Sequence, residues 1–135
     1  MSIQSLSKLT GVVLDSSAWI EWVSGSPRGM KVASAMKGKQ AYMSSFSTLE
    51  VCAHALRVGA ADEKTLHAIL NKTIQVHVDA RLAASAARMD AVARKKNSKF
   101  AYGDALAFVT ADDLNLPLIT CDNDFAGVKN VIVVR

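Results

Sequence analysis

Leu116-Pro117-Leu118-Ile119-Thr120-Cys121-Asp122-Asn123-Asp124-Phe125 decides how the rest of the chain is read. Pro117 stops any helix that precedes it, and Leu118-Ile119-Thr120 is a short apolar run of the kind that forms a fully buried strand. Asp122 follows that strand, with Asp124 two residues on. The same order occurs near the amino end, where Gly11-Val12-Val13-Leu14 reads as a strand and Asp15-Ser16-Ser17 follows it. In an open α/β sheet, ligands collect at the carboxyl ends of strands. Two strands that each deliver an acid to that edge point to a site there.

Working outward, the intervening chain alternates helices and strands. Residues 18–23 and 29–37 read as short helices on either side of the turn Ser24-Gly25-Ser26-Pro27. Residues 41–44 read as a strand, and 46–58 as a helix with Leu49, Cys52, Ala53 and Leu56 on one face, ended by Gly59. A further helix at 62–70 turns Leu66, Ile69 and Leu70 inward, and 73–78 alternates as a strand should. The alanine-rich residues 79–96 form a long helix by propensity. Residues 102–114 are almost wholly apolar, a buried helix capped by Asn115, and 131–134 supply the last strand. The expected fold is α/β, with a mainly parallel central sheet of about five strands flanked by helices.

At 135 residues the chain fits one domain spanning 1–135, with its motif-bearing core from about residue 11. Half the residues are hydrophobic and 21% charged, which excludes a disordered class. Cys52 and Cys121 form no spaced framework and suit a reducing compartment. Residues 1–10 hold no apolar stretch of signal-peptide length, and no run is long enough to span a membrane, so the expected location is cytoplasmic. The net charge of +4 and pI near 9.2 favour a polyanion partner.

Against that basic background, four acids need an explanation: Asp15, Glu50, Asp104 and Asp122. Each has a local one. Asp15 can cap the helix after it, Ser47-Thr48-Leu49-Glu50 fits a capping box, Asp104 suits a helix's first turn, and Asp122-Asn123-Asp124 can be a plain turn. Those explanations would require four coincidences in order along the chain. Carboxylates gathered at one edge repel unless a cation joins them, and an all-oxygen acidic site suits Mg²⁺ or Mn²⁺.

The wording around these acids resembles a family. Val12-Val13-Leu14-Asp15-Ser16-Ser17-Ala18 resembles the opening of a PIN domain, Tyr102-Gly103-Asp104-Ala105-Leu106-Ala107 its third acidic motif, and residues 116–125 its Leu-Pro-Leu-x-Thr-x-Asp-x-Asp-Phe ending. The match around Glu50 is shorter. By length the chain is most similar to VapC-type toxins, the stand-alone ribonucleases of type II toxin–antitoxin pairs. The resemblance implies a homodimer, a cognate antitoxin, an RNA substrate and endoribonuclease cleavage through Mg²⁺- or Mn²⁺-activated water. It assigns Asp15, Glu50, Asp104 and Asp122 as catalytic residues. Asp15, Asp104 and Asp122 are then the metal ligands, with Glu50 and Asp124 as further candidates. Ser17 and Thr120 are expected to hydrogen-bond the acids from behind.

Other features sort around that reading. Arg94, Lys95, Lys96 and Lys99 crowd the end of the long helix, where they suit its dipole or track RNA phosphates. His54, His67 and His77 share no ligand spacing with the cysteines, so zinc is not expected. Trp19 and Trp22 read as core or dimer contact, and Asp112-Asp113 as a solvated pair. The main alternative is a catalytically inactive PIN-like module that binds RNA or protein, against which the complete acid set argues. A phosphoacceptor signalling domain would need paired acids before its first helix and a lysine after a late strand. Residues 5–14 hold no acid, and Lys129 precedes the last strand.

Overall fold

The computed structural model describes residues 10–135, so the reading of residues 1–9 as free of a signal lies outside the described residues. The elements run β1 (Gly11–Leu14), α1 (Ser16–Ser24), α2 (Pro27–Met36), β2 (Gln40–Ser44), α3 (Ser45–Arg57), α4 (Asp62–Lys72) and β3 (Thr73–Val76). Then come α5 (Ala80–Ala93), α6 (Tyr102–Leu114), β4 (Leu118–Thr120), a 3-10 turn (Asn123–Phe125) and β5 (Val131–Val133). All strand pairs are parallel, in the order β3-β2-β1-β4-β5. The chain winds from β1 out to β3, then returns to β4 on the other side of β1. That reversal opens a crevice between the carboxyl ends of β1 and β4.

Strand alternation divides the core in two. Val12, Leu14, Met43, Ile119 and Ile132 join Trp19, Val32, Val51 and Ile69 from α1 to α4. Val13, Leu118 and Val131 join Leu82, Ala86, Leu106 and Val109 from α5 and α6. Among the described residues six helices therefore flank one five-stranded sheet, as the apolar strands between helices predict. Helix ends are fixed locally. Ser26 accepts from the Gly29 N–H at 2.9 Å with Pro27 in the first position of α2, and Asn115 ends α6 in the left-handed region at φ 54°. Trp19 is buried in the core, and Trp22, partly buried, packs against it edge-on with centroids 5.4 Å apart.

Local details add to the sequence reading and in places correct it. On α3 the buried residues are Ser47, Val51 and Ala55, while Leu49 and Leu56 lie 59% exposed. On α4 only Ile69 is buried, and Leu66 and Leu70 face out. Small residues let α3 lie close to its neighbours, and the bulky apolar stripe falls on the outside. The capping box at Ser47 does not form, because α3 starts earlier: Ser44 is its cap and accepts from the Ser47 N–H at 3.1 Å. Helix α5 stops at Ala93, with Asp79 as its cap, so the basic residues 95, 96 and 99 sit in the loop that follows. Asp113 is paired rather than merely solvated, in a two-pronged contact with Arg81 at 3.0 and 3.1 Å.

Candidate active site

The site starts where β1 ends. Asp15 is only 6% exposed and caps α1, one carboxylate oxygen accepting from the Ala18 N–H at 2.9 Å and the Ser17 hydroxyl at 2.7 Å. The other oxygen accepts from the Thr120 hydroxyl at the end of β4. Ser17 also accepts from the Cys121 N–H, and Thr120 from the Asp122 N–H, both at 3.0 Å. Ser17 and Thr120 therefore tie the two strand ends together behind the acids. The local explanation of Asp15 as a cap is therefore true, and the same residue lies at the edge where the other acids gather.

Asp122 and Asp124 sit on the turn after β4, where Asp122 accepts from the Asp124 N–H at 2.9 Å. Asp104 reaches the same place from the first turn of α6, accepting from the Ala101 N–H at 2.9 Å. One carboxylate oxygen from each of Asp104, Asp122 and Asp124 lies within 4.8 Å of the others, with each side chain partly exposed. Glu50 comes from α3 and accepts from the Ser16 hydroxyl at 3.2 Å. Its carboxylate rests against Gly103, where a β-carbon would lie 2.7 Å from Oε2. Only glycine admits that approach beside Asp104.

The electrostatics record the crowding. Burial raises the pKa of Asp15 despite its hydrogen bonds, and the charge of Asp122 adds to the shift. Burial lifts Asp104 to about 6, with Asp122, Asp15 and Asp124 contributing repulsion. Glu50 is raised by burial and then by Asp15. Burial pushes the Cys121 thiol to about 11, which removes a thiolate nucleophile from this edge at neutral pH.

All four expected acids thus meet at one edge, and Asp124, expected only as a further candidate, belongs to the tightest group. Three residues were missed in the sequence. Ser16 holds Glu50, Gly103 makes room for it, and Asn97 donates to Asp124 Oδ1 at 3.0 Å. Gly103 was the findable one, since a glycine inside an apolar helix invites a close-approach reading. Arg94 is engaged by Asp90, Nε to Oδ2 at 2.8 Å. A separate cavity lined by Phe108, Asn115, Pro117 and Asn130 contains none of the site acids.

An all-parallel sheet with clustered carboxylates at its switch point defines a class of acidic-edge α/β domain. The sequence profile of the PIN domain matches residues 12–131, and the chain belongs to the PIN domain family. Among solved structures, the fold is similar to a toxin–antitoxin complex from Klebsiella pneumoniae, with TM-score 0.70 and 22% identity over 91% of this chain and 97% of that one. It is also similar to VapC20 of Mycobacterium tuberculosis, a sarcin-ricin loop cleaving toxin, with TM-score 0.73 and 18% identity over 93% and 100%. A third is VapBC2 of Rickettsia felis bound to a promoter DNA fragment, with TM-score 0.68 and 14% identity over 90% and 96%. No curated protein matches the chain by sequence. No helix among the described residues is long and apolar enough to cross a membrane.

Proposed function

We propose that the protein is a Mg²⁺- or Mn²⁺-dependent endoribonuclease and the toxin of a type II toxin–antitoxin pair. The observation that carries this reading is the convergence of Asp104, Asp122 and Asp124 within 4.8 Å, beside Asp15 and Glu50. The donor set fits the cation: it is all carboxylate oxygen, partly open to solvent, and otherwise self-repelling. Asp104 and Asp122, with Asp124, would hold it, with Asp15 buried behind them at the same edge. When bound, the cation offsets the charge of these acids and of the scissile phosphate and lowers the pKa of water.

The chain's own residues do the rest. Ser17 and Thr120 fix Asp15, and Asn97 fixes Asp124, so the acids meet substrate already oriented. Glu50, steadied by Ser16 and with a raised proton affinity, accepts the proton of the attacking water. In-line displacement breaks the P–O3′ bond, and the departing 3′-oxygen takes a proton from solvent, leaving 5′-phosphate and 3′-hydroxyl ends. The family membership and the toxin–antitoxin neighbours support an antitoxin partner. The exposed Leu49, Leu56, Val58, Leu66 and Leu70 offer apolar surface for protein contact, including a homodimer.

The test is cleavage of an end-labelled RNA panel by purified protein. Activity should require Mg²⁺ or Mn²⁺, vanish in EDTA, and fall at least ~10²-fold in Asp122→Asn. Undiminished cleavage in excess EDTA, or by Asp122→Asn, would contradict the reading.

A further inference from the structure

The loop between α5 and α6 runs beside the acids and is fastened along its length. Asn97 donates to Asp124, and Phe100 meets Phe125 edge-on with centroids 5.5 Å apart. At the loop's start Arg94 pairs with Asp90, which is 5% exposed and whose Oδ1 has no hydrogen-bond partner among the described residues. A buried carboxylate that lost its cation would be left uncompensated, so Asp90 holds the guanidinium in place. That guanidinium lies over the Tyr102 ring, 5.0 Å from its centroid. Yet Tyr102 is 62% exposed. It is a rigid aromatic, backed on one face by a fixed cation and open to solvent, beside Gly103 and two residues from Asp104.

The core gains little from a ring placed so. A nucleobase would gain much, because every base has a π-face and stacks on aromatic and guanidinium planes without regard to identity. Lys95, Lys96 and Lys99 are exposed on the same loop and could meet the neighbouring phosphates. Resting on the nuclease reading, we propose that Tyr102, backed by Arg94, stacks a base of single-stranded RNA next to the phosphate presented to the acids. Arg94 is then a positioning residue that acts through Tyr102, and the loop lysines contribute to the salt-dependent grip.

The test measures binding of fluorescent single-stranded RNA to Asp122→Asn protein, which is not expected to cut it, with Tyr102→Ala or Tyr102→Phe added. Tyr102→Ala should weaken binding roughly 5- to 150-fold, the range measured for losing one stacked base, and Tyr102→Phe should restore it. The slope of log Kd against log salt should stay unchanged, since no phosphate contact is removed. An RNA series with one abasic residue at each position in turn adds the readout a structural role would not move. One position should reproduce the loss with Tyr102 present and add nothing in Tyr102→Ala. Equal binding by Tyr102→Ala, an abasic penalty that persists undiminished in it, or no RNA binding at all would overturn the proposal. Failure of the nuclease reading is distinguishable. Tyr102-dependent binding without Mg²⁺-dependent cleavage by otherwise wild-type protein sinks that reading alone, whereas cleavage with normal KM in Tyr102→Ala sinks the stacking alone.

Discussion

One peptide bond separates Leu14 from Asp15, and the two are almost equally buried, at 0% and 6% exposure. Burial has opposite consequences on the two sides of that bond. Leu14 and its neighbours stabilise the fold by roughly 1.5–3 kcal/mol each through apolar area removed from water. Asp15 loses hydration, and hydrogen bonds from Thr120, Ala18 and Ser17 do not fully compensate, since its pKa still rises. The strands that build the core therefore end by holding acids in an electrostatically disfavoured place. The middle of the sheet sets stability, and its carboxyl edge draws on that stability for function.

The largest effect is expected on the core side. Trp19→Ala should cost about 3–5 kcal/mol in urea unfolding while leaving cleavage per folded molecule near wild type. A milder loss would mean the ring is not the anchor its burial implies. From the edge side, Asp104→Asn should lower the cleavage rate at least ~10²-fold, the equivalent of about 2.7 kcal/mol of barrier, with unfolding free energy changed by less than about 1 kcal/mol. Parallel loss of stability and activity would erase the distinction between the two regions.

Gly103→Ala separates the two regions further. A methyl group 2.7 Å from Glu50 Oε2 must displace that carboxylate, and misplacement on this scale should slow cleavage roughly 10- to 100-fold. Helix propensity favours alanine by about 1 kcal/mol, so the melting temperature should hold or rise. The smallest effect is on pH dependence. Asp104 in the folded protein titrates near 6 against a usual 3.8, so the folded state binds that proton more tightly. In EDTA, stability should therefore rise as pH falls from 7 toward 5, and Asp104→Asn should flatten that rise. Calorimetric melting across this range checks both.

Two of the acids were legible because each follows a short apolar strand at the edge where ligands collect, although a cap or a turn could also explain either one alone. Asp15 and Asp122 are of this kind. The parallel sheet was legible for the same reason, since strands buried on both faces read as unbroken apolar runs. The outward face of α3 was not. Periodicity finds a stripe of Leu49, Cys52 and Leu56 but cannot say whether the stripe meets the core or the solvent. Ser47 is buried through its bonds with Ser44, which no hydrophobic pattern records. Asn97 and Ser16 were invisible because their contacts span 27 and 34 residues of sequence. The capping box at Ser47 misled because an earlier serine, Ser44, was the better placed to start the helix.

On the proposed function, the carboxyl edge is a cation site which strains the fold when empty. This is tested most directly by melting wild type and Asp104→Asn in EDTA and in millimolar Mg²⁺. Asparagine can still accept from the Ala101 N–H, so the change removes charge and spares the helix start. The account predicts that the variant melts at or above wild type in EDTA, and that Mg²⁺ raises wild type by mass action while raising the variant little. A variant that melts lower in EDTA and gains as much from Mg²⁺ would show that Asp104 serves only the helix, and the site would lose the acid that joins α6 to it.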